Sequence, residues 1–156
     1  MQNFDLSLNQ IGDAGMIKFS EACASGALAQ LKELRLYQNK IGADGMKAFA
    51  DACSRGGLAQ LQVLDLSNNQ LRDAGIASLA GDCARGAMAS LQKLFLHQNE
   101  IGDAGVTALA SACASGALAQ CQTLYIGNNK IGDAGAGGAL AQLQVLDLSN
   151  NQLRDA

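Results

Sequence analysis

The chain has 156 residues, of which 49% are apolar, and its 11 Lys and Arg against 14 Asp and Glu give a formal charge of -3. This is enough apolar material for one hydrophobic core. The basic residues are spread singly, so no basic stripe favours nucleic acid or anionic lipid as a partner. The longest apolar runs are a few residues, too short for a membrane span, and the first residues lack the pattern of a secretory signal.

The pattern Leu-x-x-Leu-x-Leu-x-x-Asn recurs with variations along the whole chain. Its starts fall at residues 1, 31, 61, 91, 121 and 143, so successive starts are 30 residues apart except for the last, which follows after 22. A fixed period of this size indicates a solenoid, in which each unit buries its apolar face only by stacking on its neighbours. We therefore expect one repeat domain over residues 1–156, with the last repeat incomplete.

Repeat 4, residues 91–120, shows what each unit should contain. Leu94 and Leu96 alternate with Lys93 and Phe95, the period-2 pattern of a short strand with one buried face. The apolar stripe of a helix follows at spacings i, i+3, i+4 and i+7, on Val106, Leu109, Ala110 and Cys113.

The ends of this helix also carry signals. Asp103 is suited to cap the start of the helix through its carboxylate. Gly116 is suited to end it in a left-handed conformation. Equivalent stripes occur in the three preceding repeats, so one helix is expected in each of the first four units.

The connection from strand to helix to strand should be right-handed, so the strands must be parallel and adjacent. Strands lie about 4.8 Å apart, whereas packed helices need roughly 8 to 10 Å. The stack therefore curves. The predicted fold is an α/β solenoid in the form of a horseshoe, with parallel strands on the concave side and helices on the convex side.

Repeat 5 departs from the pattern. The segment IGDAGVTALASACASGALAQ of repeat 4 becomes IGDAGAGGALAQ, a loss of eight residues. Ala136 to Gly138 cannot replace the bulk of the helix stripe, so we expect repeat 5 to lack a full helix and to leave the helix of repeat 4 uncovered beside Leu109. Leu140 to Ala156 then repeats Leu58 to Ala74 without a change.

Both ends of the sequence fall inside the repeat pattern. The chain is therefore expected either to be a piece of a longer protein or to have its ends covered by other subunits. We expect another polypeptide to contact it at one or both ends or at the gap beside Ala136 to Gly138.

The run LxxLxLxxN, followed by IGDAG and an Ala-rich helix, resembles leucine-rich repeat proteins of the ribonuclease-inhibitor-like class over the entire chain. The same class appears in NOD-like receptors and Ran GTPase-activating proteins, where, the resemblance implies, the concave face or its rim binds other proteins. It implies a non-enzymatic protein-interaction scaffold or accessory subunit of a larger assembly. An alternative, regulation of a small GTPase, is prompted only by the resemblance to the Ran activators.

Asn occupies the ninth place of every repeat. Backbone groups turn inward where the chain leaves the strand, and a stacked row of amides can supply their hydrogen bonds. We interpret the row as a structural ladder; the alternative is a polar row that binds a ligand. Its members are Asn9, Asn39, Asn69, Asn99, Asn129 and Asn151.

Cys also recurs at intervals of 30 residues, at Cys23, Cys53, Cys83 and Cys113. Equivalent places on neighbouring helices lie beyond the roughly 7 Å Cα limit for a disulfide. Without a CxxC pair or a His row, zinc spacing is missing too. These residues, and Cys121 in place of a strand Leu, are predicted to be buried, reduced core residues of an intracellular protein. A redox role is the alternative.

The sequence lacks the common catalytic and phosphate-binding motifs. The chain has one His, His97, and no Gly-x-Ser-x-Gly, HExxH or phosphate-binding loop. We predict that the protein is not an enzyme and uses neither a cofactor nor a metal.

The third, fifth and seventh places of each repeat should point outward from the concave side. Half of the six Phe and Tyr lie there, with two of them at the same place on adjacent strands and His97 beside them. Exposed aromatic residues flanked by charge are typical of an interface hot spot; the alternative is ordinary cross-strand packing. The predicted partner-binding residues are Arg35, Tyr37, Phe95, His97 and Tyr125.

Overall fold

The computed structural model describes residues 2–134 and 144–153. Within these residues, three-residue strands alternate with helices of 12 or 13 residues. In chain order the elements are β1 (Asn3–Asp5), α1 (Gly12–Ala24), β2 (Glu33–Arg35), α2 (Ala43–Ser54), β3 (Val63–Asp65), α3 (Arg72–Ala84), β4 (Lys93–Phe95), α4 (Asp103–Ala114), β5 (Thr123–Tyr125) and β6 (Val145–Asp147). The predicted α/β solenoid is confirmed.

All neighbouring strands pair in parallel, in the order β1 to β6. The repeat length sets their register, so each residue lies beside the residue at the same place in the next repeat. Leu34, Leu64 and Leu94 are aligned across β2, β3 and β4. The register is the same between β5 and β6, although repeats 5 and 6 start only 22 residues apart: Leu124 lies beside Leu146. Side chains of one repeat position therefore form continuous rows across the sheet.

The core lies between the sheet and the helices. The four inner strands β2 to β5 and the residues just after them contribute buried Leu or Ile side chains, such as Leu64 and Leu66. Each helix contributes its apolar stripe, and the stripe predicted for α4, Val106 to Cys113, is buried. The expectation of an uncovered flank beside Leu109 was wrong, because this side chain is fully buried. The helices pack in sequence order, α1 on α2, α2 on α3 and α3 on α4. The core is thus shared between neighbouring repeats.

The predicted helix end is confirmed and the predicted helix start is wrong. Gly116 has a φ of 88° and follows the C-cap residue of α4, as expected for a left-handed helix terminus. Asp103, however, does not cap its own helix, which begins at Asp103 after Gly102 without a side-chain cap bond. Its Oδ1 instead accepts a hydrogen bond of 2.6 Å from the backbone N–H of Gly132 in the next repeat.

The segment predicted to replace the helix of repeat 5, around Ala136 to Gly138, lies outside the described residues. Among the helices of the described part of the chain, none has the length and apolar character needed to cross a membrane.

Candidate functional site

The Asn row forms a ladder inside the molecule. Asn69 is buried, and its Nδ2 donates to the carbonyl oxygens of Leu36 and Leu66, each at 2.9 Å. Its Oδ1 accepts the backbone N–H groups of Asn39 at 3.0 Å and Ile41 at 2.9 Å in the preceding repeat. Both polar atoms of this amide are therefore hydrogen-bonded within the stack. The prediction of a structural ladder is confirmed, and the reading of this row as a ligand-binding row is not supported.

The cysteines are free and buried. Burial raises the pKa of the Cys23 and Cys83 thiols to about 12 and that of Cys121 to about 11. Burial also raises the pKa of Cys53 well above its ordinary value. These thiols therefore resist ionisation to the thiolate, which is the reactive form. Across residues 2–134 and 144–153, no group of three or more His, Cys, Asp or Glu could hold a metal ion.

The outward side of the sheet, hereafter the strand face, consists of the side chains at the third, fifth and seventh places of each repeat. Parallel register brings Phe95 and Tyr125 side by side, with ring centroids 5.0 Å apart and planes 11° apart. The His97 ring lies 5.5 Å from that of Tyr125 at an angle of 38°. The three residues form one cluster, as the sequence suggested. They are half-buried rather than exposed, because the rings cover one another.

Gly127 shapes this cluster, although sequence analysis overlooked it. It holds the seventh place of repeat 5, beside His97 in repeat 4 and Ser149 in repeat 6. A Cβ at Gly127 would lie 3.4 Å from the His97 Nδ1 and 2.8 Å from the Ser149 Oγ. The missing side chain thus leaves room chiefly for Ser149, and the His97 imidazole lies at contact distance on the other side. The signal was available, since the other repeats carry a side chain at this place.

The His97 Nδ1 is buried and has no hydrogen-bond partner within the described ranges. Asp147 lies on the other side of Tyr125 from Phe95, at the fifth place of repeat 6, the last residue of β6. The hydroxyl and then the backbone N–H of Ser149 lower the pKa of this carboxyl, and His97 lowers it further through its charge. The His97 end of the cluster is therefore polar, with a fixed carboxylate nearby.

The other two predicted residues, Arg35 and Tyr37, lie two strands away from Phe95. The Arg35 Nε donates to the Glu33 Oε1 at 2.8 Å, and its Nη2 lies 2.5 Å from the same oxygen. Tyr37 is half-buried on the strand face. Arg35 is thus paired within its own strand, and the aromatic cluster does not include either residue.

A cavity of about 410 Å³ nevertheless connects Tyr37 with Phe95. Between them lie Asp65, the last residue of β3, and Ser67, two residues further on, neither of which the sequence analysis singled out. The Asp65 Oδ1 accepts the backbone N–H of Ser67 at 2.9 Å. We call this cavity the Asp65 slot. It is lined by Tyr37, Asp65, Ser67, Phe95, His97, Gln98 and Asn128.

A detectable signal pointed to Asp65. The sequence Asp-x-Ser occurs at the fifth and seventh places of repeats 1, 3 and 6. In each of them the Ser N–H binds the Asp Oδ1, at 2.9, 2.9 and 2.8 Å. The second of these carboxylates lies between Arg35 on β2 and Phe95 on β4, a placement that requires the register to be known.

Comparisons with known proteins agree with this architecture. A family model described as Leucine Rich repeat matches residues 1–20, 29–50, 60–80 and 87–110, and one described as Leucine Rich repeats (2 copies) matches residues 120–156. No curated protein sequence matches the chain.

Two solved structures of internalins from Listeria monocytogenes are similar to the chain. Internalin C2 is 31% identical with a TM-score of 0.58, and the alignment covers 86% of this chain and 49% of internalin C2. The internalin InlF is 18% identical with a TM-score of 0.31, and the alignment covers 85% of this chain and 65% of InlF. The chain therefore spans about half the length of internalin C2.

Proposed function

This chain belongs to the leucine-rich repeat family, and on that premise we propose that it is a non-enzymatic module that binds a partner protein through its strand face. Leucine-rich repeat proteins generally mediate protein–protein interaction. Residues 1–156 form a single repeat domain in this proposal, of the ribonuclease-inhibitor-like class. The 30-residue period and the helix of 12 or 13 residues in each of the first four repeats support that class.

The observation that carries the proposal is the stacked pair of Phe95 and Tyr125. The fold does not need aromatic rings at this place, because the equivalent residues in other repeats are Asp or Arg. The core beneath them is complete, since Leu94 and Leu124 are buried. Aromatic residues held rigidly on an outward face contribute strongly to binding when a partner excludes water from them.

The edge of the sheet at β6 is a second expected contact region. Val145 and Leu146 are 42% and 38% exposed on this strand, and an edge strand with apolar side chains favours pairing with another chain. These contacts would suit an accessory subunit of a larger assembly. The buried free thiols support a reducing, intracellular location. Regulation of a small GTPase has no supporting observation and is not proposed.

Partner capture with matched variants tests the proposal. The wild-type chain and the double variant Phe95→Ala, Tyr125→Ala are each immobilised on a resin and incubated with a lysate of the source cells. The captured proteins are identified by mass spectrometry. Each aromatic truncation typically costs about 2 kcal/mol or more at a hot spot. A true partner should therefore be lost from the double variant.

Lys18→Ala is the control, because Lys18 is an exposed residue of α1 whose Nζ pairs with the Glu21 carboxylate at 3.0 Å, away from the strand face. It should capture the same partner as the wild type. A partner retained with equal affinity by the double variant would place the binding site elsewhere.

A further inference from the structure

We propose that the protein binds an extended, proline-rich segment of a partner, in the polyproline II conformation, along a polar groove at one rim of the sheet. The groove lies beyond the ends of the strands, beside the strand face and not on it. The inference therefore goes beyond the proposed function and adds a second contact region to it.

The groove is a cavity of about 670 Å³ that runs across the ends of the strands. It is lined by residues at the eighth, ninth and tenth places of repeats 1 to 5. The backbones are still hydrogen-bonded to one another here: the Asn68 N–H donates to the His97 carbonyl at 2.7 Å, and the Asn128 N–H donates to the Ser149 carbonyl at 2.8 Å. Neighbouring repeats are therefore about 4.8 Å apart, and this rim groove, as we call it, is about 19 Å long over five repeats.

The rim groove presents a row of carboxamide side chains that are not used by the fold. None of them makes a side-chain hydrogen bond within the described residues, in contrast to the Asn ladder beneath them. Each carboxamide offers two N–H donors and one acceptor oxygen. A ligand in the groove therefore meets donors and acceptors at every repeat from 2 to 5. These side chains belong to Gln38, Asn68, Gln70, Gln98 and Asn128.

The fold fixes the backbone from which most of these amides project. At the eighth place the chain is left-handed in every one of these repeats, with φ of 53° at Gln38, 55° at Asn68, 52° at Gln98 and 55° at Asn128. This conformation is common for Asn and uncommon for Gln. The backbone alone would thus favour Asn or Gly, so the two Gln side chains are not explained by the turn that carries them. Their attachment points are held at equal spacing before any ligand arrives.

The spacing of the amides matches a polyproline II segment. Gln and Asn alternate at the eighth place from repeat 2 to repeat 5, so the same side chain recurs after two repeats, about 9.6 Å. One turn of a polyproline II helix advances by about 9.3 Å. A β-strand repeats after about 6.7 Å, which matches neither one repeat nor two. About six residues of a polyproline II segment fill the groove, and equivalent amides meet it once in each turn.

The conformation also supplies the complementary groups. A polyproline II segment has no internal hydrogen bonds, so its backbone carbonyls are free to accept the N–H groups of the amides. Proline rings pack against aromatic side chains in other grooves that bind such segments. Gln98 and Asn128 line both the rim groove and the Asp65 slot, which Phe95 also lines. A segment in the rim groove therefore passes beside the Phe95 ring.

The charges of the groove suit a segment without basic residues. The Glu100 Oε2 lies 3.0 Å from the Lys130 Nζ and 3.7 Å from the Arg72 Nε. The Lys40 Nζ donates to the Gln10 Oε1 at 3.0 Å. The carboxylate of the groove is thus already neutralised by two cations, whereas Lys40 is bound to an uncharged amide.

Isothermal titration calorimetry of the full chain tests the inference. The probe is N-acetyl-nonaproline amide, which adopts the polyproline II conformation without a partner. A Gly-Ser peptide of the same length is the flexible reference, and cellohexaose is an uncharged ligand of another class. We expect saturable binding of nonaproline and at least about tenfold weaker binding of the Gly-Ser peptide, which must be ordered on binding. Cellohexaose should not bind.

The double variant Gln38→Gly, Gln98→Gly removes two amides of the row. Glycine is well suited to the positive φ at both places, so the variant should remain folded. We expect it to bind nonaproline at least about fivefold more weakly, because two hydrogen-bonding groups are lost. The control is Gln92→Ala, Gln122→Ala, which removes two exposed amides at the second place of repeats 4 and 5, at the opposite end of the strands. It should leave the affinity unchanged.

No binding of nonaproline, equal affinity for the Gly-Ser peptide, or unchanged affinity of the glycine variant would overturn the inference. Binding of cellohexaose in place of nonaproline would assign the groove to a carbohydrate and would overturn it too. If Phe95→Ala, Tyr125→Ala still abolishes partner capture in these cases, the proposed function stands and only the rim groove is wrongly assigned. If nonaproline binds as expected but that double variant captures every partner normally, the rim groove stands and the proposed function is wrong.

Discussion

Asn69 shows how one side chain serves two repeats. Its amide makes five hydrogen bonds with backbone groups, three as a donor and two as an acceptor, and it is buried. The two N–H groups that it accepts, those of Asn39 and Ile41, belong to the preceding repeat. Without this oxygen they would remain buried and unpaired.

We therefore predict that Asn69→Ala lowers the free energy of unfolding by about 3 kcal/mol, mainly through the unpaired backbone groups. Asn9→Ala is the matched control. Asn9 is exposed and donates to Leu6 and Ser7 in its own repeat, and its Oδ1 receives no bond in the described part of the chain. Its loss should cost about 1 kcal/mol. Urea denaturation of both variants measures the difference, and equal losses would contradict the ladder.

The thiols predict a pH dependence with a definite sign. Burial raises the pKa of Cys23 and Cys83 to about 12, whereas these thiols ionise near their ordinary value of 9.0 when the chain unfolds. The unfolded state therefore loses protons first as the pH rises. Stability from this source is complete below pH 9 and declines between pH 9 and 12. Denaturation at pH 8 and pH 10 should show the decline.

Other groups also titrate in this range, so Cys83→Ala serves as the control. It should show a smaller decline than the wild type, by up to about 1.4 kcal/mol at pH 10. A thiol reagent at pH 8 should label Cys53 and Cys83 slowly until the protein is unfolded. Fast labelling of the native protein would show that these residues are not part of a closed core.

At the scale of the helix, an Asp of one repeat caps the helix of the next. The Asp73 Oδ1 accepts the N–H of Gly102 at 2.7 Å and that of Gly105 at 3.0 Å, at the start of α4. The Asp13 Oδ1 binds Gly42 and Gly45 of α2 at 2.6 and 3.0 Å in the same way. Such a bond satisfies backbone donors that a helix start leaves free.

The start of α3 is the exception to this pattern of caps, and the reason lies in the sequence. Repeat 2 reads IGADG rather than IGDAG, which puts Ala43 where the capping Asp would stand. The next repeat then has Arg72 instead of Gly, and its N–H donates to the Asn99 carbonyl at 3.0 Å. Arg72 adopts a φ of 54°, a left-handed conformation that is uncommon for a residue other than glycine.

We predict that Asp73→Ala destabilises the protein by about 1 to 2 kcal/mol, since α4 loses its cap. Asp44→Ala is the control: Asp44 is an exposed residue in the first turn of α2 and should contribute about 0.5 kcal/mol through the helix dipole. Gly105→Ala should also destabilise, because its Cβ would lie 2.7 Å from the Asp73 Oδ1. Thermal unfolding measures all three, and an Asp73 effect no larger than that of Asp44 would contradict the cap.

These elements show how far the sequence could lead. The 30-residue period recurs in successive repeats. It was enough to predict the strand order, the register, the helix stripe and the helix end at Gly116. The cap assigned to Asp103 was wrong because the hydrogen-bond partner of its carboxylate lies in the next repeat, at the Gly132 N–H, and not at the start of its own helix. Gly127 and Asp65 were missed for the same reason. Their importance lies in neighbours in adjacent repeats, and it is visible only after the register aligns them.

At the scale of the whole molecule, stability passes from each repeat to the next. Every helix packs on its sequence neighbours, the strands pair in order, and the Asn ladder and the Asp caps link adjacent repeats. In such a stack, local opening depends on how many neighbours a repeat has. A repeat covered on both sides should open less often than one at the edge of the sheet.

The chain contains a natural control for this expectation, because residues 58–74 and 140–156 have the same sequence. Val63 and Val145 therefore have the same intrinsic amide exchange rate. Their N–H groups make equivalent hydrogen bonds, to the Lys32 carbonyl at 3.0 Å and to the Gln122 carbonyl at 2.9 Å. Val63 is half-buried within the stack, whereas Val145 is 42% exposed on the edge strand β6.

We predict that the Val63 amide exchanges at least about 100-fold more slowly than the Val145 amide in native-state hydrogen exchange. The difference arises from opening of β6 without the rest of the sheet, since chemistry, local sequence and hydrogen-bond length are matched. The measurement is made at several protein concentrations, so that association at the β6 edge would appear as protection of Val145 that increases with concentration. Equal protection of both valines at every concentration would mean that the stack opens as one unit, contrary to the nearest-neighbour description.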